Sequence, residues 1–166
     1  MHKPDYRHSG YLSNCIERDR LRKNIPQAVK ILKAHKFDAI AFRGLSGTLV
    51  GPLLAYLLNK TVLAVRKPHE LKRSNSHGYY QVEGDIAAGK YVIVDDFVSS
   101  GDTVREIIIE IHESAPRAIC IGVLLIGGYA PRIAMKTVRN LVQETPGERS
   151  ALEELISNPE YQDIIS

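Results

Sequence analysis

The chain has 166 residues, of which 44% are hydrophobic and 25% charged, with a net charge of +3. This is the balance of one globular domain with a sizeable core, and it contains no apolar run of membrane-spanning length, no internal repeat and no low-complexity segment. Cys15 and Cys120 are the only cysteines, which points to free thiols in a reducing compartment; with the polar start this predicts a cytoplasmic protein, and the mild basicity favours anionic small molecules or a weak nucleic-acid surface and selects neither.

Residues 1–13, with His2, Tyr6, His8 and Tyr11, show little periodicity and read as an arm or lid segment. Glu17 to Lys23 reads as a solvated helical turn. Pro26 suits the first turn of a helix on which Ala28, Ile31, Leu32 and His35 share a face, and His35 reads as a helix-end cation rather than a ligand. Phe37 to Phe42 is a first core strand. The small-residue loop Arg43-Gly44-Leu45-Ser46-Gly47-Thr48 then leads into a helix expected to bury Val50, Leu53, Leu54, Leu57 and Leu58, with Pro52 tolerable only in its first turn. Taken alone the loop is an ordinary strand-to-helix turn, although it also presents backbone donors beside a cation. Thr61 to Val65 is the next strand and runs into Arg66-Lys67-Pro68. Residues 68–78 are polar, cationic and aperiodic, as a solvated surface loop would be.

The most informative stretch follows. Tyr91 to Val94 is a short, β-branched, buried strand that ends on Asp95 and Asp96. Past Phe97 and Val98, the loop Ser99-Ser100-Gly101-Asp102-Thr103 opens a helix with Val104, Ile107, Ile108 and Ile111 at helical spacing. Small residues let backbone N–H groups converge on an anion, the helix N-terminus adds positive potential, and the hydroxyls add donors, so a phosphate would fit. Turn and N-cap chemistry favours the same residues, and the loop alone does not choose. The acids shift the balance, because neighbouring carboxylates at a strand end repel each other and need a partner: vicinal ribose hydroxyls, or a water-coordinated magnesium ion.

Arg117 to Ile126 is a long apolar strand in which Gly122 marks a bulge or close approach. Gly127 to Arg132 breaks the pattern at the strand's C-terminal end, where open α/β sheets bind ligands. Tyr129 there could stack on a planar base or cover the end of the core. Residues 133–143 fit strand or helix, and Ser150 to Ile156 is a capped helix. The alternation predicts an α/β domain with a mostly parallel sheet flanked by helices. No P-loop motif or dinucleotide-binding glycine pattern is present.

The stretch Val92 to Thr103 resembles the phosphoribosyl pyrophosphate (PRPP) signature of type I phosphoribosyltransferases: apolar strand, two acids, two apolar residues, and a small-residue loop ending in Gly-x-Thr. Arg43-Gly44 is similar to that family's pyrophosphate loop. Arg66-Lys67, the loop 68–78 and the segment Tyr79 to Gly84 are similar to its catalytic loop and hairpin, with Lys67 to His77 longer than in the orotate type. The resemblance covers roughly residues 37–130. It implies one domain over residues 1–166, with a core of about 25–130 and a hood from 1–25 and 130–166. It also implies transfer of the phosphoribosyl group from PRPP to a purine or orotate, with magnesium as cofactor and a homodimer as the assembly. The site residues implied are Asp95 and Asp96 on the ribose hydroxyls and, through water, the metal; Lys67 and Lys72 in catalysis; and Ser99, Ser100, Gly101, Asp102 and Thr103 on the 5-phosphate. Arg43, Gly44, Arg66, Lys67, Arg73 and His77 fall on the pyrophosphate, and Tyr129 and Ile126 on the base. Asp102 departs from the pattern by placing an anion in a phosphate loop, so its carboxylate is expected to point outward or cap the helix. A non-catalytic PRPP or nucleotide sensor acting on nucleic acid is the competing reading, weakened by the modest charge and the lack of room for a DNA-binding addition.

Overall fold

The computed structural model describes residues 12–67, 81–85, 88–96, 101–127 and 131–133. Its helices are α1 (Ser13–Ile16), α2 (Arg18–Lys33), α3 (Gly44–Leu58) and α4 (Asp102–Ser114). Its strands are β1 (Ala39–Phe42), β2 (Thr61–Val65), β3 (Val82–Glu83), β4 (Ala88–Asp95), β5 (Arg117–Leu125) and β6 (Arg132–Ile133). They form one six-stranded sheet in the order β3-β2-β1-β4-β5-β6. Strands β2, β1, β4 and β5 run parallel, while β3 and β6 close the two edges antiparallel. The expected α/β architecture is therefore the observed one.

Every residue of β1 is buried, as is all of β5 after Arg117, which is why these strands read as continuous apolar runs rather than alternating ones. From β1 the chain crosses through α3 to β2 on one side, and from β4 through α4 to β5 on the other. Right-handed crossovers leaving in opposite directions put α3 and α4 on opposite faces of the sheet. Accordingly α3 packs on β1, β2 and β4 beside α2, and α4 packs on β5, β2 and β3. The order reverses between β1 and β4, and the C-terminal ends of these two strands flank the crevice where such sheets bind ligands.

Two helices differ from expectation. The helical turn and the Pro26 helix are one helix, α2, and Pro26 lies in its interior, as Pro52 lies inside α3. A proline removes the donor for the carbonyl four residues earlier. Pro26 and Pro52, and with them Arg22 and Thr48 four residues back, are all exposed, so water can serve those carbonyls. The buried face of α3 is also not the expected one: Leu53 and Leu57 are 39% and 47% exposed, whereas Ser46, Gly47, Val50, Gly51, Leu54 and Ala55 are buried. This helix contains no charged residue, so hydrophobicity could not select its inner face. Space selects it instead. A Cβ at Gly47 would stand 2.7 Å from Phe42 Cβ and one at Gly51 2.5 Å from the Phe42 ring, so only glycines let α3 lie this close to β1.

The α4 face follows the sequence, with Val104, Ile107, Ile108 and Ile111 buried. Full burial of such side chains is worth roughly 1.5–3 kcal/mol each. Gly122 sits at a real irregularity: Tyr91 pairs with Cys120 but Val92 with Gly122, leaving Ile121 as the extra residue of a bulge.

Candidate active site

The C-terminal ends of β1, β2, β4 and β5 converge on one edge of the sheet. Asp95 and Asp96 end β4 there and are only 8% and 6% exposed. Asp95 Oδ1 accepts a hydrogen bond from the Asp96 backbone N–H at 2.9 Å and another from Ser46 Oγ at 3.3 Å. Burial raises the Asp95 carboxyl from its ordinary 3.8 to about 7, with contact and repulsion from Asp96 adding to the rise and the Ser46 and backbone donors opposing it. The Asp95 carboxyl thus keeps its proton to a higher pH than an exposed aspartate would. The Gly127 N–H donates to the Asp96 carbonyl at 2.8 Å, and a Cβ on Gly127 would fall 2.1 Å from that oxygen, so β5 can close on the acids only with glycine at 127.

Such a pair suits a partner that brings positive charge or hydroxyl donors. Among the described residues no cluster of three or more metal-ligating side chains exists. A divalent cation at Asp95 and Asp96 would therefore keep water and draw its other oxygens from a ligand, which is how magnesium is usually held. The donor set fits that ion.

After β4, residues 97–100 lie outside the described residues, and with them Ser99 and Ser100. Gly101 caps α4 in the left-handed region, at φ 86°, and the helix N-terminus opens from it at the same sheet edge. The Asp102 carboxylate accepts from Arg105 Nη1 at 2.7 Å, with most of its side chain exposed. Thr103 is exposed.

Beside the acids, between the ends of β1 and β2, lies a cleft of about 480 Å³, lined among others by Arg43, Gly44, Leu45, Arg66, Lys67 and Glu83. That volume lies within the roughly 300–1,000 Å³ of small-molecule sites. Residues assigned to pyrophosphate thus meet in one place, though not all in the expected attitude. Arg43 requires correction: its guanidinium is buried, donating from Nε and Nη2 to the Arg66 carbonyl at 3.2 and 2.6 Å and from Nη1 to Glu106 of α4. Arg43 lines the cleft, but its guanidinium is engaged by these internal acceptors. Arg66 pairs with Glu83 at 2.7 Å. Ile126 is likewise corrected as a base contact, because its side chain is 1% exposed and belongs to the core. Lys72, Arg73, His77 and Tyr129 lie outside the described residues.

No family model matches the chain. Over 102 residues, 55% of this chain and 60% of the relative, it is 28% identical to the adenine phosphoribosyltransferase of Mycoplasma mycoides subsp. mycoides. Over 120 residues, 63% of this chain and 69% of the relative, it is 28% identical to the adenine phosphoribosyltransferase of Lachnoclostridium phytofermentans. In sequence the chain is similar to phosphoribosyltransferases. It covers less than two thirds of the Mycoplasma relative. Among solved structures, the UMP synthase of Leishmania donovani shares the fold of this chain with a TM-score of 0.57 at 16% identity, the match covering 99% of this chain and 37% of that one.

Two residues beside the acid pair were missed in the sequence. Ser46, buried in the first turn of α3, links the Arg43-Gly44 loop to Asp95; its place in a small-residue loop was the available signal. Cys15 of α1 is buried close enough to both acids to feel their charge. Burial first, then Asp96 and Asp95, push its thiol up to about 11, so it is neutral and not a nucleophile. No local pattern in residues 12–16 foretells that neighbour.

Proposed function

We propose that the chain transfers the 5-phosphoribosyl group of PRPP to a nucleobase nitrogen with release of pyrophosphate. The observation that carries this reading is the buried Asp95–Asp96 pair at the end of β4, set at the reversal point of the sheet and followed by the N-terminus of α4. In the reaction the bond from ribose C1 to the pyrophosphate oxygen breaks and a bond from C1 to the base nitrogen forms. Asp95 and Asp96 hold the ribose hydroxyls and, through water, magnesium. Ser99 to Thr103 and the start of α4 hold the 5-phosphate. Magnesium, Lys67 and the main chain of the Arg43-Gly44 loop stabilise the departing pyrophosphate, with Arg66 joining once it leaves Glu83. By the resemblance of their sequence, the roles of excluding water and neutralising charge are assigned to residues 68–78 with Lys72, Arg73 and His77, and that of base contact to Tyr129. Adenine is the first acceptor to test, because the two relatives described above are named for it; orotate and the other purines follow.

We place the reaction in a reducing cytoplasm, a reading supported by two free, buried cysteines. Among the described residues no helix is long and apolar enough to cross a membrane. A homodimer is supported by α3. Its uncharged surface leaves Leu45, Leu49, Leu53, Tyr56 and Leu57 exposed along one stripe, and Leu45 also lines the cleft, so a second copy on this helix would stand at the mouth of the site.

The test is pyrophosphate release from PRPP and magnesium with adenine, guanine, hypoxanthine, xanthine, uracil and orotate in separate reactions. Release with one base establishes reaction and acceptor together. PRPP binding with no release from any of the six would sink the transfer reading in favour of a sensor.

A further inference from the structure

The cleft is bounded by Arg66 and Lys67 where β2 ends, and something must hold that chain end in place, since β2 is followed by the long excursion to β3. The Arg66 N–H is fixed by the Gln81 carbonyl at 2.7 Å. Its carbonyl accepts the two-pronged Nε and Nη2 bonds of Arg43. Because no peptide here is cis, the Lys67 N–H points opposite to the Arg66 carbonyl, so orienting one orients the other. The third nitrogen of the same guanidinium reaches Glu106, on the first turns of α4. One turn later on that helix face, Glu110 accepts from Gln81 once the Gln81 amide is turned with its nitrogen toward the carboxylate. The exit of β2, the return into β3 and the helix that follows the candidate phosphate loop are thus joined through one buried cation.

We infer that Arg43 is a positioning residue for the diphosphate-binding cleft, orienting the Arg66–Lys67 peptide and locking it to α4 through Glu106. The inference rests on the transferase reading for the identity of the anion, and on the three contacts of Arg43 for everything else. Arginine is required because its planar fork satisfies two acceptors with fixed geometry while being held in low solvent; a lysine ammonium at the same place is a point donor that cannot span the Arg66 carbonyl and Glu106 with the same rigidity. Glu106 keeps more than half its side chain exposed, so it can be removed without opening the core.

Arg43→Lys and Glu106→Ala are compared with wild type by calorimetric titration of magnesium pyrophosphate, with circular dichroism and thermal melts to establish that each variant is folded, and by PRPP-dependent turnover. Arg43→Lys should weaken pyrophosphate binding and raise KM for PRPP by about tenfold or more, the loss of one well-placed contact, while KM for the base stays within about twofold. Glu106→Ala should move the same two quantities in the same direction by about threefold. A purely structural role for Arg43 would raise both KM values together, and that result overturns the inference, as does unchanged pyrophosphate affinity in both variants. Should Arg43→Lys not fold, the Glu106→Ala titration decides alone. Wild-type protein that binds pyrophosphate but releases none from PRPP with any base retires the transferase reading and leaves the binding comparison to judge Arg43; wild-type protein that binds no pyrophosphate overturns both.

Discussion

Replacing Asp95 by asparagine should make the ligand-free protein more stable while stopping its chemistry. The Asp95 carboxyl is raised from 3.8 to about 7, chiefly because it is buried and secondarily because Asp96 adjoins it. A folded-state pKa above the unfolded one means that the native state holds the extra proton, so stability falls as pH rises from about 4 to about 7 and is flat above that. At about 1.36 kcal/mol per pKa unit, the full span is on the order of 4 kcal/mol. Asparagine keeps the shape and the acceptor for Ser46 but carries no charge, so above about pH 7.5 it should recover a large part of that amount. Urea denaturation of both proteins at about pH 5.5 and about pH 8.5, without metal, is the assay. The expected result is a variant more stable than wild type at the higher pH, with the difference shrinking on acidification. A variant less stable than wild type at both pH values would refute the argument, showing that the carboxylate is stabilised in place rather than strained by burial. Magnesium with PRPP should close the gap from the other side by stabilising only the wild type.

Three further outcomes follow from particular contacts. Gly47→Ala would ordinarily gain helix propensity, yet its Cβ would meet Phe42 Cβ at 2.7 Å and the Val94 carbonyl at 3.1 Å; a loss of about 1–3 kcal/mol in denaturant is expected, and any gain would contradict the packing of α3. Asp96→Asn and Lys67→Ala should each lower turnover, by about a hundredfold and about tenfold respectively, with melting temperatures little changed; wild-type kinetics in either would remove that residue from the site. Leu53→Glu on the exposed stripe of α3 should shift the protein from dimer to monomer in sedimentation, and a monomeric wild type would withdraw the dimer proposal.

Local pattern reached far in this protein. The run Tyr91 to Thr103 disclosed strand, acid pair and helix because each part carries its own signal: β-branched burial, paired charge at a strand end, then the spacing of Val104, Ile107, Ile108 and Ile111. The bulge at Gly122 was legible for the same reason, since a glycine in a strand is a local conflict with a local solution. The resemblance to phosphoribosyltransferases could be read from the central motif for this reason, whereas no local pattern named the acceptor base.

Where a residue's role depends on what lies across the fold, the sequence carried little of it. Helix α3 is apolar all round, so its inner face was chosen by the room that Gly47 and Gly51 leave for Phe42, and its leucines could not be sorted by hydrophobicity. Arg43 looks like a ligand-binding cation in a loop, but the Arg66 carbonyl and Glu106 are 23 and 63 residues away and capture its guanidinium. Ser46 and Cys15 come to the acids across similar distances in the chain. The elements and the chemistry of the acid pair were thus determined by neighbours in sequence, whereas the direction in which each cation points was decided only when the parallel strands brought their C-terminal ends together. Guanidinium and carboxylate groups bind whichever complementary partner the fold places within reach, and that partner is fixed by tertiary geometry.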